Sequence, residues 1–103
     1  MKNLYIIGAG MGHIDDLTAL AQNIIKKCNV VYGSSRLSEQ YKCLNNNINV
    51  PAYSEIITKI ENDNNENIAL LVSGDTSFFS LTKLVIERLD NKFNIEVISG
   101  ISS

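Results

Sequence analysis

The sequence predicts an α/β fold: a five-stranded, mostly parallel sheet flanked by helices in the order βαβαβαβαβ. Three observations predict it. Short β-branched runs alternate with longer amphipathic segments along the whole chain, the pattern of successive βαβ units. The length of 103 residues suits one domain, and the 45% apolar content supplies one core. The joints that follow strands also differ in composition from the joints that follow helices, as two edges with different work would require.

Each element has its own signal. "LYIIG" (Leu4 to Gly8) reads as the first strand. "DDLTALAQNIIKKC" reads as a helix with Leu17, Leu20, Ile24 and Ile25 along one face. Asp15 or Asp16 is placed to cap its start, and Lys26 and Lys27 suit its negative C-terminal end. "NVVYG" reads as a second strand, followed by a short helix around "RLSEQYKCL". "NINV" is a brief third strand closed by Pro51, and "SEIITKIEN" a helix with Ile56, Ile57 and Ile60 at helical spacing. "NIALLVSG" is a fourth strand whose near-continuous apolar content predicts burial on both faces. "FFSLTKLVIERL" is then a helix and "NIEVISG" a fifth strand.

Charge and cysteine usage narrow the partners. A formal charge of −2 leaves no basic stripe for a nucleic-acid backbone. The apolar runs are strand-sized, far below the roughly 20 residues of a spanning helix, so no membrane partner is expected. The N-terminus has no signal-peptide cleavage pattern. Cys28 and Cys43, fifteen positions apart, and a single histidine are too sparse for a zinc site or a disulfide scaffold. They read as reduced thiols near helix ends, and the protein as cytoplasmic, with no bound metal.

The joints carry the functional signal. Helix-to-strand joints are rich in asparagine ("KKCN", "LNNNIN", "ENDNNEN", "LDNKFN") and read as solvated turns, much of the asparagine excess being compositional drift. Strand-to-helix joints are built of small residues: "GAGMG", "GSSR", "SGDTS" and "SGISS". In a parallel sheet these converge at the carboxyl edge, where ligands bind in open α/β folds.

Which ligand is less direct. A dinucleotide turn, G-x-G-x-x-G, fits Gly8 and Gly10, but His13 stands at the third glycine position and Gly12 is one place early. The second strand ends "YGSSR", and Arg36 would accommodate a 2′-phosphate, so an NADP-binding Rossmann-like module is one alternative. His13 reads as a surface histidine or a ligand contact, and Ser34 and Ser35 as turn residues or contacts. Asp75 fits an N-cap, a role compatible with ligand contact by the same loop. Phe78 and Phe79 are adjacent and cannot share one helix face, so one suits the core and the other the cleft. No nucleophile–base arrangement or carboxylate pair stands out, which disfavours hydrolysis.

Together the loops resemble the tetrapyrrole (corrin/porphyrin) methylase family. Its first loop has the form GxGPGDPxxLT, and "GAGMGHIDDLT" overlays it without a gap. A strand ending near "ADVVVGSxRL" is matched by "CNVVYGSSRL", the "SGDPxFYG" loop by "SGDTSFFS", and "VIPGISS" by "VISGISS". The "GSxRL" and "GISS" forms look most like the precorrin-6Y and cobalt-precorrin-7 C(5)-methyltransferase branch. A diphthine synthase-like methyltransferase of the same fold is the nearer alternative. The departures are Met11, Ile14, Thr76 and Ser99 for prolines, His13 for aspartate, and Ser80 for glycine. With Pro51 the only proline, the loops lack restraints on φ that relatives carry.

The resemblance implies methyl transfer from S-adenosylmethionine to a ring carbon of a precorrin or cobalt-precorrin, a step of cobalamin (vitamin B12) biosynthesis. It implies donor contacts at Gly74, Asp75, Thr76, Ser102 and Ser103, and a tetrapyrrole side bordered by Gly10, Met11 and Gly12. It names no catalytic base. A sulfonium methyl is already activated, so alignment is the main requirement, and orientation contributes on the order of 7–11 kcal/mol. The family fold closes its cleft with a second domain. Residues 1–103 are therefore expected to form an N-terminal α/β domain, the N-terminal half of the tetrapyrrole methylase fold, with the C-terminal domain outside this chain. Alone, such a half is expected to be inactive, and an uncovered apolar face would favour a homo-oligomer.

Overall fold

The fold is described from a computed structural model, over residues 2–9, 18–33, 39, 42–73 and 76–99. Five strands form one sheet: β1 (Lys2–Ala9), β2 (Val30–Tyr32), β3 (Ile48–Asn49), β4 (Asn67–Ser73) and β5 (Phe93–Ser99). Their order is β3-β2-β4-β1-β5, and every neighbouring pair is parallel. The helices are α1 (Ala19–Lys27), α2 (Ile56–Glu61, entered through a 3-10 turn at Tyr53–Glu55) and α3 (Thr76–Leu89). The short helix expected around "RLSEQYKCL" lies largely outside the described residues, and Lys42 to Leu44 form a turn.

Alternation within the strands divides the core into two layers. Leu4, Ile6, Ile68, Leu70, Val72 and Phe93 face one side and pack with Ile56 and Ile60 of α2 and Leu81, Val85 and Leu89 of α3. Ile7, Val31, Ala69, Leu71 and Ile98 face the other and pack with Ala21, Ile24 and Ile25 of α1. The run from Ile68 to Val72 on β4 is buried throughout, as a strand covered on both faces must be. Ile57, the third isoleucine of its helix, is partly buried against the first layer.

Two expectations about α1 are corrected. Its N-cap is Thr18, whose hydroxyl accepts from the Ala21 N–H at 3.2 Å, in the role expected of Asp15 or Asp16, which lie outside the described residues. Leu20 is 60% exposed, and Ala21 takes the buried place. With the helix starting at Ala19, position 20 sits roughly a quarter turn from the centre of the face formed by Ala21, Ile24 and Ile25. The basic last turn is as expected, with Lys26 and Lys27. Replacing Thr18 by alanine should cost about 1 kcal/mol, because an orphan N–H at the helix start loses its acceptor. Chemical denaturation with an unchanged m-value would show it.

The asparagine-rich joints are more than solvated turns. An asparagine stands just before the first core position of β1, β2, β3 and β4, and Asn94 follows Phe93 on β5; their side chains link across the amino edge. Asn94 Nδ2 donates to Asn3 Oδ1 at 3.2 Å, and Asn3 Nδ2 donates to Asn67 Oδ1 at 3.1 Å. The backbone N–H of Asn67 donates to Asn29 Oδ1 at 3.0 Å, and Asn47 Nδ2 to the Asn29 carbonyl at 2.7 Å. Asn45 Oδ1 accepts from the Asn47 N–H at 2.9 Å. Asn3, Asn67 and Asn94 are in register on adjacent strands, which gives an amide ladder. The attribution of this asparagine to drift is therefore corrected for these positions: the residues tie all five strands together.

Candidate functional site

Parallel pairing fixes what meets at the carboxyl edge. Ala9 of β1 is level with Ser73 of β4, and Gly8 with Ser99 of β5. Three of the four small-residue joints therefore leave from adjacent strands at one height. The fourth leaves from β2, beside β4. The chain after β1 leads to α1 on one face, and the chain after β4 leads to α3 on the other. Neighbouring strands whose connections part in this way leave a crevice between them, the usual ligand position in such sheets.

Among the expected site residues, Thr76 is the first residue of α3. Gly10, Met11, Gly12, Gly74, Asp75, Ser102 and Ser103 lie outside the described residues, as do His13, Ser34, Ser35 and Arg36. Phe78 and Phe79 fall within α3. The described strand ends that lead to these positions are Gly8, Ala9, Gly33, Ser73 and Ser99. All are glycine, alanine or serine, residue types suited to a ligand held largely through main chain.

Gly33, directly after β2, is needed for close approach. A Cβ there would sit 3.3 Å from Leu71 Cβ, with Leu71 itself buried on β4. Its N–H donates to the Asn49 carbonyl at 3.2 Å. Tyr32, one residue earlier, is held by a contact that the sequence did not suggest. Its hydroxyl donates to Asp63 Oδ2 at 2.5 Å. Asp63 Oδ1 accepts from the backbone and the side chain of Asn65, at 2.8 and 2.7 Å. Lys2 Nζ donates to the Asp63 carbonyl. The end of β2 is thus tied to the start of β1 through the loop before β4.

This partly buried contact sets the titration of its members. Burial, and the acceptor carboxylate beside it, push the Tyr32 phenol above its ordinary value. Burial pulls Asp63 upward, but the hydrogen bonds from Tyr32 and Asn65 and the Lys2 charge outweigh it and hold the carboxyl below its usual range. A depressed carboxyl contributes stability above its unfolded value near 3.9 that is lost as pH falls. A raised phenol contributes stability below about pH 10 that is lost as pH rises. Cys28, pushed up to about 11 by burial, acts in the same alkaline sense. Tyr32→Phe should therefore lower stability at neutral pH by about 1 kcal/mol yet flatten its decline above about pH 10. Denaturant unfolding at several pH values checks both signs.

Two open grooves of about 620 and 410 Å³ lie along α2 and share Tyr32 and Lys59 as walls. Among the described residues, no helix is long and apolar enough to cross a membrane.

Comparison with known proteins bears on which ligand the carboxyl edge serves. The profile of the family described as Tetrapyrrole (Corrin/Porphyrin) Methylases matches residues 3–103. The chain belongs to the tetrapyrrole methylase family. A Methanocaldococcus jannaschii protein named "Probable cobalt-precorrin-7 C(5)-methyltransferase" is 35% identical over 97% of this chain and 50% of its own length. The chain thus spans about half the length of that relative. A crystal structure of a provisionally assigned diphthine synthase from Entamoeba histolytica superposes with a TM-score of 0.72. It shares 21% identity over 99% of this chain and 42% of that one, a likeness in fold. This tetrapyrrole methylase chain therefore has the α/β architecture of the family's N-terminal half, and the glycines of its first loop need no dinucleotide reading.

Proposed function

We propose that this chain forms one wall of a methyl-transfer cleft, in an enzyme that methylates a ring carbon of a precorrin or cobalt-precorrin in cobalamin biosynthesis. The observation that carries the reading is the register at the carboxyl edge: Ala9 beside Ser73 and Gly8 beside Ser99. It starts the loops of Gly10–Gly12, Gly74–Thr76 and Ser102–Ser103 from three adjacent strands. The 35% identical relative, by its name, supports the C(5) position.

S-adenosylmethionine, when bound, supplies an activated methyl group. In this reading Gly74, Asp75, Thr76, Ser102 and Ser103 hold it, and Gly10, Met11 and Gly12 border the tetrapyrrole. The described strand ends are small and uncharged, which fits a donor gripped through main-chain groups. The remaining wall is a C-terminal domain, and the whole enzyme works in the cytoplasm. The purified 103-residue chain should then give no turnover of a precorrin, and turnover would contradict the half-site reading.

Asp75 provides the residue-level test. In the full-length protein, Asp75→Ala should weaken binding of S-adenosylhomocysteine and, through the lost cap, lower stability by about 1 kcal/mol. Unchanged affinity with lowered stability would leave Asp75 as a cap alone.

A further inference from the structure

The smaller of the two grooves along α2 belongs to the carboxyl edge. Tyr32 and Asn49 are the last residues of β2 and β3, and Val50 and Pro51 follow β3 directly. With Lys59 of α2 they line a groove of about 410 Å³. It lies next to the joint that begins at Gly33, whose N–H is bonded to the Asn49 carbonyl. The larger groove, about 620 Å³, continues along α2 past Glu55, Thr58, Asn62 and Asp63.

The two grooves differ in charge. Glu55 and Asp63 line only the larger one, which disfavours an anion there. The smaller has Lys59 and no carboxylate among its described walls. Lys59 is exposed and has no hydrogen bond or ion pair among the described residues, although carboxylates stand four positions to either side. Asp63 is committed to Tyr32 and Asn65. The side-chain amide of Asn49 is also uncommitted among the described residues. Val50, 48% exposed, and Pro51 add apolar surface beside these donors. A free ammonium and a free amide next to apolar walls suit an aliphatic carboxylate, its oxygens on the donors and its methylenes on carbon.

Position says where such a carboxylate comes from. β3 lies three strand spacings from β1, roughly 14 Å along the carboxyl edge. A tetrapyrrole held beside β1 carries acetate and propionate side chains on its rim, and the macrocycle with one extended side chain covers that span. We propose that the smaller groove seats one peripheral carboxylate side chain of the tetrapyrrole. Lys59 pairs with the carboxylate, Asn49 donates a second hydrogen bond, and Val50 and Pro51 pack on the methylenes. The inference rests on the methyl-transfer reading and adds to it a substrate-binding residue far from the donor loops.

Kinetics of the full-length protein test it. Lys59→Ala, at an exposed position, should keep the unfolding midpoint and raise the KM for the cobalt-precorrin roughly tenfold. The kcat and the affinity for S-adenosylhomocysteine should stay as they were, because a contact remote from the methyl group is made equally in ground and transition states. Lys59→Arg should restore most of the loss. The methyl esters of the same tetrapyrrole should bind wild type and Lys59→Ala alike. Wild-type turnover with a KM indifferent to Lys59→Ala would overturn the proposal and leave the methyl-transfer reading standing. Glutarate binding at Asn49 and Lys59 with that same indifference would assign the groove to a free carboxylate, and equally overturn it. A wild type that binds S-adenosylhomocysteine but no precorrin would end both readings.

Discussion

Replacing Leu70 by alanine is expected to lower the stability of the chain by about 3 kcal/mol, within the 2–5 kcal/mol span of such truncations. Leu70 sits on β4, between β2 and β1, and is fully buried. Its layer includes Ile56 and Ile60 from α2 and Val85 from α3, so the side chain lies under both helices of that face. The loss has two parts, the transfer of the removed carbons and the cavity they leave. The sheet beneath cannot collapse into that cavity, because β4 is paired along its length with β1 and is buried from behind by Ala69 and Leu71. Domains of this size hold about 5–15 kcal/mol in all, so the variant should unfold roughly 15 °C lower. Calorimetry, with denaturant titration to confirm an unchanged m-value, measures it. A loss below about 1 kcal/mol would mean that the layer repacks and that β4 is not the rigid centre described above.

The second large effect belongs to Asn45. Its Nδ2 donates to the carbonyls of Ile25 and Cys28, at 2.8 and 2.9 Å, where α1 ends. Carbonyls at a helix C-terminus lack partners within the helix, and this amide satisfies two of them. Asn45→Ala should cost about 2 kcal/mol, since the site is partly buried and water replaces the amide only in part. Asn45→Asp should be worse at neutral pH. It sets a carboxylate against two carbonyl oxygens at the negative end of α1. That excess cost should shrink as pH falls through and below about 4, where a protonated carboxyl regains a donor. Equal stability of the two variants at pH 7 would place the contribution of Asn45 elsewhere, in its bond to the Asn47 N–H.

Much of the fold was legible because strand burial writes itself into composition. The run from Ile68 to Val72 is apolar without interruption, and only a strand covered on both faces needs that. Helix ends were less legible. Asp15, Asp16 and Thr18 are all capping residue types, and periodicity does not say which hydroxyl or carboxylate meets an N–H. Leu20 was misplaced for a different reason: the position buried with Ile24 and Ile25 is held by Ala21, whose small side chain carries little apolar signal. The asparagines carried a readable signal, one near the start of each strand, but reading it required knowing that the strands align at one edge. The Tyr32–Asp63 contact had no local signature, since its partners lie thirty-one positions apart and meet only through the sheet. At the site, the convergence of the small-residue joints followed from topology alone. The individual contacts of Gly10, Met11, Gly12, Gly74, Asp75, Thr76, Ser102 and Ser103 depend on loop conformations, which spacing does not determine.

The central claim is that the carboxyl edge between β4, β1 and β5 binds the methyl donor. Titrating the isotope-labelled full-length protein with S-adenosylhomocysteine, and separately with NADPH, tests it most directly. The account predicts saturable binding of S-adenosylhomocysteine, with amide shifts concentrated at Gly8, Ala9, Ser73 and Ser99 and the residues that follow them, and no comparable response to NADPH. Tight NADPH binding with silence toward S-adenosylhomocysteine, or shifts confined to the amino-edge asparagines, would contradict it.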